Sequence, residues 1–128
     1  MPNKNSSGDF GENIAAAHLE QHGFQIVARN FRTRFGEIDL IAQNERYLLF
    51  VEVKTRKTGA FTSGEEAVDY HKQRKLRACA EEYLLRTLKE HSEAPGPHRR
   101  WQPRFDVVCV DTAKNGQVVS IRWHENAF

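Results

Sequence analysis

The stretch GEIDLIAQNERYLLFVEVK, residues 36–54, decides the fold. Its two apolar runs are rich in β-branched and aromatic residues, and polar residues separate them, which is typical of neighbouring strands. A two-residue turn at Asn44-Glu45 is the simplest connection and predicts an antiparallel hairpin. This turn would place Asp39 directly opposite Phe50.

Charged residues lie inside both of these apolar runs. Glu52 interrupts the run LLFVEV, and a carboxylate buried in such a strand needs a cation or hydrogen-bond donor as its partner. Because side chains alternate along a strand, Glu52 and Lys54 share one face and can satisfy each other. The predicted hairpin makes Asp39 the diagonal neighbour of Glu52 on that same face, so two carboxylates and one ammonium converge.

This convergence predicts a metal site. The carboxylates of Asp39 and Glu52, with the backbone carbonyl of Val53, form an all-oxygen donor set that suits Mg²⁺ or Mn²⁺. Lys54 would then stabilise negative charge on a scissile phosphate or orient the attacking water. Glu12 lies on the inward stripe of the first predicted helix and extends the metal shell, unless it serves only as a helix-capping residue.

The remaining elements follow on either side of the hairpin. Asp9 and Glu12 form a capping pattern that predicts a helix ending at Gly23. Ser63 and Glu66 form a second capping pattern, which predicts a long helix reaching about residue 89. The predicted strands are 24–31, 36–43, 46–54, 104–111 and 118–123, with a turn at 114–116 before the last. The order is therefore α-β-β-β-α-β-β, a mixed sheet flanked by helices in which the fourth strand runs parallel to the third.

Length and composition indicate one α/β domain over residues 1–128. The chain has 128 residues, 39% of them hydrophobic, which supplies one core. Residues 1–8 are expected to be flexible, and the proline-rich stretch 91–103 is expected to be a mobile loop. No apolar run is long enough to span a bilayer, and the two cysteines form no disulfide framework, so a cytoplasmic location without membrane contact is expected.

Basic residues are grouped although the net charge is only +2. Four groups can bind phosphates, RNFRTR (29–34), KTRK (54–57), HKQRKLR (71–77) and HRR (98–100), and the alternative is ordinary solvated surface. The candidate nucleic-acid-binding residues in these groups are Arg32, Arg34, Arg56, Lys72, Gln73 and Lys75.

Four motifs together carry a family resemblance: GEIDLI (36–41), FVEVKTR (50–56), RFDVV (104–108) and the terminal WHENAF (123–128). With them, the chain resembles the YraN-like family of predicted endonucleases in the PD-(D/E)-x-K superfamily, over roughly residues 8–128. The resemblance implies a restriction-endonuclease-like fold, similar to that of archaeal Holliday-junction resolvases, and metal-dependent hydrolysis of phosphodiester bonds. It assigns the motif acid to Asp39, the E-x-K pair to Glu52 and Lys54, and the helical glutamate to Glu12. Lys72 or Gln73 would supply the polar residue that the superfamily often carries on the following helix.

Two functions are consistent with these features. The first is a Mg²⁺- or Mn²⁺-dependent nuclease acting on branched, flapped or single-stranded DNA through Glu12, Asp39, Glu52 and Lys54. The second is a non-catalytic module that binds nucleic acid or protein on the same fold. The sequence leaves open whether the chain forms a homodimer and whether it acts with a DNA-processing partner protein.

Overall fold

The centre of the molecule is one sheet of five strands in sequence order. In the computed structural model, which describes residues 6–57, 68–90 and 101–128, two helices accompany this sheet. The elements are α1 (Ser6–Gln21), β1 (Gln25–Thr33), β2 (Gly36–Gln43), β3 (Tyr47–Lys57), α2 (Tyr70–Glu90), β4 (Gln102–Thr112) and β5 (Val118–His124). β3 and β4 pair in parallel and all other neighbours pair antiparallel, so the predicted crossover and mixed α/β sheet are confirmed.

Each helix covers one face of the sheet. Ala15, Ala16 and Leu19 of α1 pack on one face, against a cluster that includes Leu40 and Val51. On the other face, a second cluster joins α2 to the sheet through Leu76, Cys79, Ala80, Ile41 and Phe50. We call these the α1 face and the α2 face.

The β2–β3 turn differs from the prediction by one residue. The amide of Asn44 donates to the carbonyl of Tyr47 at 3.1 Å, so the two central residues are Glu45-Arg46, and the predicted Asn44-Glu45 turn is wrong. The Asn44 side chain accepts the backbone amides of Arg46 and Tyr47 at 2.8 and 2.7 Å, which fixes the chain reversal after Asn44. The register consequently shifts by two residues, and Ile41 rather than Asp39 pairs with Phe50. An even shift leaves every side chain on the same face.

Both predicted helix starts are also wrong. α1 begins at Ser6, so Asp9 lies in its first turn instead of capping it. α2 begins at Tyr70 and is capped by Asp69, whose carboxylate accepts the backbone amide of Lys72 at 2.8 Å. The Ser63 and Glu66 pattern and residues 91–100 of the predicted loop lie outside the described residues. The predicted end of the first helix at Gly23 (φ 89°) is confirmed, and so is the predicted turn that contains Gly116 (φ 89°).

A buried carboxylate anchors the C-terminal turn to β4. Asp106 is fully buried, accepts two hydrogen bonds from Arg104 at 3.0 and 2.9 Å, and accepts the indole N–H of Trp123 at 2.8 Å. The backbone amide of Asn126 completes its coordination at 3.0 Å. Asp106 is therefore a structural residue. Neither described helix is long and apolar enough to cross a membrane.

Candidate active site

The two predicted metal-binding acids lie where β2 and β3 separate. The β2–β3 ladder runs from Gln43↔Leu48 to Leu40↔Val51, and the next residue on each strand is Asp39 and Glu52. Past this point the backbone amide of Val53 donates to the Asp39 carboxylate at 2.8 Å. The Asp39 carboxylate thus takes the place of the backbone carbonyl that would accept this amide in a regular β2–β3 ladder. The two strands therefore separate beside both acids.

The environment of Asp39 disfavours its negative charge. Burial raises the pKa of Asp39 to about 7, and the neighbouring charge of Glu52 contributes in the same direction. The Val53 amide opposes this shift, while Glu12 and Glu37 add to it. Glu52 itself is only 8% exposed. The site therefore places the charge of Asp39, which burial disfavours, next to that of a second buried acid.

Lys72 is the side chain that neutralises part of this charge. Its Nζ lies 2.5 Å from an Oε of Glu52, in an ion pair that crosses from the first turn of α2 to β3. The Asp69 cap fixes that first turn, and so directs Lys72 toward the sheet. Burial alone would lower the pKa of Lys72, but the hydrogen bond and charge of Glu52 outweigh it and raise the pKa.

Lys54 lies two residues beyond Glu52 on the same strand and pairs across the sheet with Cys109. Burial lowers the pKa of its ammonium, and the positive charge of Arg56 lowers it further. Glu52 attracts the same ammonium. Lys54 is therefore a partly buried cation beside the acids, as the E-x-K pattern predicts.

Glu12 reaches the site from α1. A Cβ on the preceding residue, Gly11, would lie 2.1 Å from Oγ1 of Thr55, so the missing side chain lets α1 approach β3. Burial raises the pKa of Glu12, and the amide of Asn30, which donates to it at 3.3 Å, partly offsets that. The charge of Glu12 in turn acts on Asp39. The structure thus links Glu12 to the strand acids through its charge on Asp39, since no three acids among the described residues form a cluster.

The other predicted residues surround this centre without joining it. The amide of Gln73 donates to the carbonyl of Val68 at 2.7 Å and holds the entry to α2, so Lys72, not Gln73, reaches the acids. Three predicted basic residues have neighbours other than the acids. Arg32 on β1 ion-pairs with Glu37 at 3.7 Å, and Arg34 in the following turn stacks on Phe35 at 4.9 Å. Lys75 on α2 is exposed beside Gly36. Arg56 acts electrostatically on both Lys54 and Asp111.

Sequence reasoning missed Asn30. It has a φ of 51° within β1 and hydrogen-bonds Glu12. The signal available in the sequence was weak: an asparagine inside a strand-like run, where this residue type is depleted but tolerates a left-handed backbone.

The donor set fits a hard divalent cation that keeps several waters. Within the described ranges, no three His, Cys, Asp or Glu side chains converge as a ready-made metal cage. Asp39 and Glu52 instead offer carboxylate oxygens from adjacent strands, just past the end of the β2–β3 ladder, where the Val53 backbone meets Asp39. Mg²⁺ typically binds through one or two carboxylates with water in its other positions.

Comparison with known proteins gives a consistent family. A family model described as "Uncharacterised protein family UPF0102" matches residues 11–110, a range that contains Glu12, Asp39, Glu52 and Lys54. UPF0102 protein TTE1452 of Caldanaerobacter subterraneus is 42% identical over 108 residues, which cover 84% of this chain and 81% of the relative. A UPF0102 protein of Alkaliphilus oremlandii is 40% identical over 121 residues (94% and 96%), and one of Aliivibrio fischeri is 39% identical over 128 residues (98% and 94%).

Proposed function

The chain belongs to the UPF0102 family, and we propose that it is a Mg²⁺- or Mn²⁺-dependent nuclease that hydrolyses phosphodiester bonds in DNA on a restriction-endonuclease-like fold. The observation that carries this proposal is the meeting of Asp39 and Glu52 at the point where β2 and β3 separate. The raised pKa of Asp39 supports it, since a carboxyl group whose charge is disfavoured by burial and by a neighbouring acid is a common feature of catalytic sites.

The charge of the site explains why a cation would bind there. The charges of Glu52 and Glu12 both act on Asp39, and Lys72 pairs with Glu52. A divalent cation would neutralise the remaining charge and so offset the desolvation of the carboxylates. Asp39, Glu52, the carbonyl of Val53 and Glu12 are the groups that would hold it.

The bound cation would supply a water of lowered pKa and charge stabilisation at the phosphate. Lys54 has the charge and the position to bind a non-bridging phosphate oxygen as negative charge develops there. Lys72 keeps the Glu52 carboxylate oriented from the α2 side. Because Lys72 and a cation share the same carboxylate, removing the lysine should increase the affinity of the site for the cation.

We propose DNA as the substrate because basic side chains flank the acids. Arg32, Arg34, Arg56 and Lys75 belong to the elements next to the site and would contact backbone phosphates, which carry most non-specific affinity. Branched, flapped and single-stranded DNA are the substrate forms to compare. A homodimer would suit symmetric cleavage of a four-way junction, because two sites must then be related by a two-fold axis.

One observation favours a second candidate, a non-catalytic module that binds nucleic acid or protein. Asp39 accepts the Val53 amide and Glu52 pairs with Lys72, so each acid already has a protein partner. In that case the Glu52–Lys72 pair would serve only to join α2 to the sheet.

A cleavage assay separates the two functions. Labelled linear, flapped, four-way-junction and single-stranded DNA would be incubated with Mg²⁺ or Mn²⁺ and wild type, Glu52→Ala or Glu45→Ala. Glu45 is an exposed glutamate of the β2–β3 turn and serves as the matched control. We expect cleavage by wild type and Glu45→Ala and none by Glu52→Ala. DNA binding without cleavage by wild type would contradict the nuclease and favour the module.

A further inference from the structure

Two consecutive residues of β1 reach the same helix, which a regular strand does not allow. The guanidinium of Arg29 donates to the Asn13 side chain at 2.6 Å, and the amide of Asn30 donates to Glu12 at 3.3 Å. Asn13 and Glu12 both lie on α1. Successive side chains of a strand point to opposite faces, so the backbone must depart from strand geometry between these two residues.

The departure lies at Asn30, whose φ is 51°. The departure from strand geometry extends from β1 to β2. Asn30 on β1 lies opposite Asp39 on β2, between the pairs Arg29↔Leu40 and Phe31↔Ile38. Leu40 packs in the α1-face cluster but Ile38 packs in the α2-face cluster, whereas residues two positions apart in a regular strand lie on the same face. The kink therefore passes through Asn30 and Asp39 together.

We propose that Asn30 is a positioning residue that orients the Glu12 carboxylate and thereby sets the divalent-cation affinity of the site. This inference rests on the proposed function. The amide fixes one carboxylate oxygen of Glu12 and so restricts rotation of the group. Partners of this kind, which orient a metal ligand without touching the metal, typically change affinity by about 10–100-fold when removed.

The chemistry of the position selects asparagine. A left-handed backbone conformation is accessible mainly to glycine, asparagine and aspartate. Glycine has no side-chain donor for Glu12, and an aspartate would place a second negative charge against it. Asparagine alone of the three combines the backbone conformation with a hydrogen-bond donor.

The test compares two asparagines that share this backbone conformation. Asn30→Gly removes the amide and keeps the left-handed backbone, while Asn126→Gly makes the same change at φ 56° in the C-terminal turn. The Mn²⁺ dissociation constant would be measured by isothermal titration calorimetry on folded protein, with folding checked by circular dichroism. We expect about 10-fold weaker Mn²⁺ binding for Asn30→Gly and wild-type binding for Asn126→Gly.

A double-mutant cycle shows whether Asn30 acts through Glu12. If it does, Asn30→Gly should weaken Mn²⁺ binding no further in a Glu12→Ala background. Unchanged affinity in the single variant, or additive effects in the double variant, would overturn the inference and leave the proposed function standing. A wild-type protein that binds no Mn²⁺ would overturn the proposed function itself.

Discussion

Replacing Asp39 by asparagine should change how stability depends on pH. The pKa of Asp39 is about 7 in the folded chain, because of burial and the charge of Glu52, against an ordinary value of 3.8. Between these values the folded state binds more protons than the unfolded state, so stability falls as pH rises. Asparagine keeps the oxygen that accepts the Val53 amide but carries no charge, so Asp39→Asn should not show this loss.

The magnitude follows from the two pKa values. Above pH 7 the shift corresponds to about 4 kcal/mol of lost stability. Between about pH 5 and about pH 8, where the protein can be handled easily, the loss due to Asp39 is about 3 kcal/mol. Asp39→Asn should therefore gain about 3 kcal/mol on wild type across that interval, which is a large part of the stability of a typical domain.

Urea unfolding at several pH values in EDTA measures this gain. The difference between variant and wild type removes the contribution of all other titrating groups. Glu45→Gln, a change of the same kind at an exposed residue of the β2–β3 turn, should differ from wild type by a constant amount. An Asp39→Asn difference that is equally constant would refute the argument that Asp39 lies in a charge-disfavouring site.

Three further changes test the contacts around the site. Gly11→Ala should destabilise the chain by about 1–3 kcal/mol in thermal unfolding, because its Cβ would meet Oγ1 of Thr55, and Thr55→Ala should restore most of the loss. Lys72→Met should lower the free energy of unfolding in EDTA by about 1–2 kcal/mol, which a lower melting temperature would report, because Glu52 loses its ion-pair partner. The same change should tighten Mn²⁺ binding measured by calorimetry, because the lysine no longer competes for that carboxylate. Asp106→Asn should cost about 3 kcal/mol in urea unfolding, since the largely buried guanidinium of Arg104 loses the nearer of its two carboxylate partners. An effect below about 1 kcal/mol would contradict the structural role of Asp106.

The sequence predicted the sheet because its strands have strong local signals. The apolar runs around Asp39 and Glu52 identified β2 and β3, and an even shift of the register kept the acids on neighbouring positions. The exact turn was not predictable from the residue types alone, since Asn44 suits two positions in a hairpin. The structure selects the one in which its side chain accepts two backbone amides.

The contacts across the two faces were harder to predict. Lys72 was expected as a polar residue of the helix that follows β3, but only the relative placement of α2 and β3 shows that it meets Glu52. The cap at Asp69 was missed because Ser63 and Glu66 match a stronger local pattern. Asn30 was missed because a single left-handed residue in a strand has no periodic signal.

Thermal unfolding with and without divalent cation tests the claim that Asp39 and Glu52 form a cation site most directly. Wild type, Asp39→Ala and the exposed control Glu45→Ala would be melted in EDTA, Mg²⁺ and Mn²⁺. A cation about 100-fold above its Kd should stabilise wild type and Glu45→Ala by about 3 kcal/mol, and leave Asp39→Ala unchanged. Equal shifts in all three proteins, or no shift in wild type, would contradict the site and with it the proposed metal-dependent chemistry.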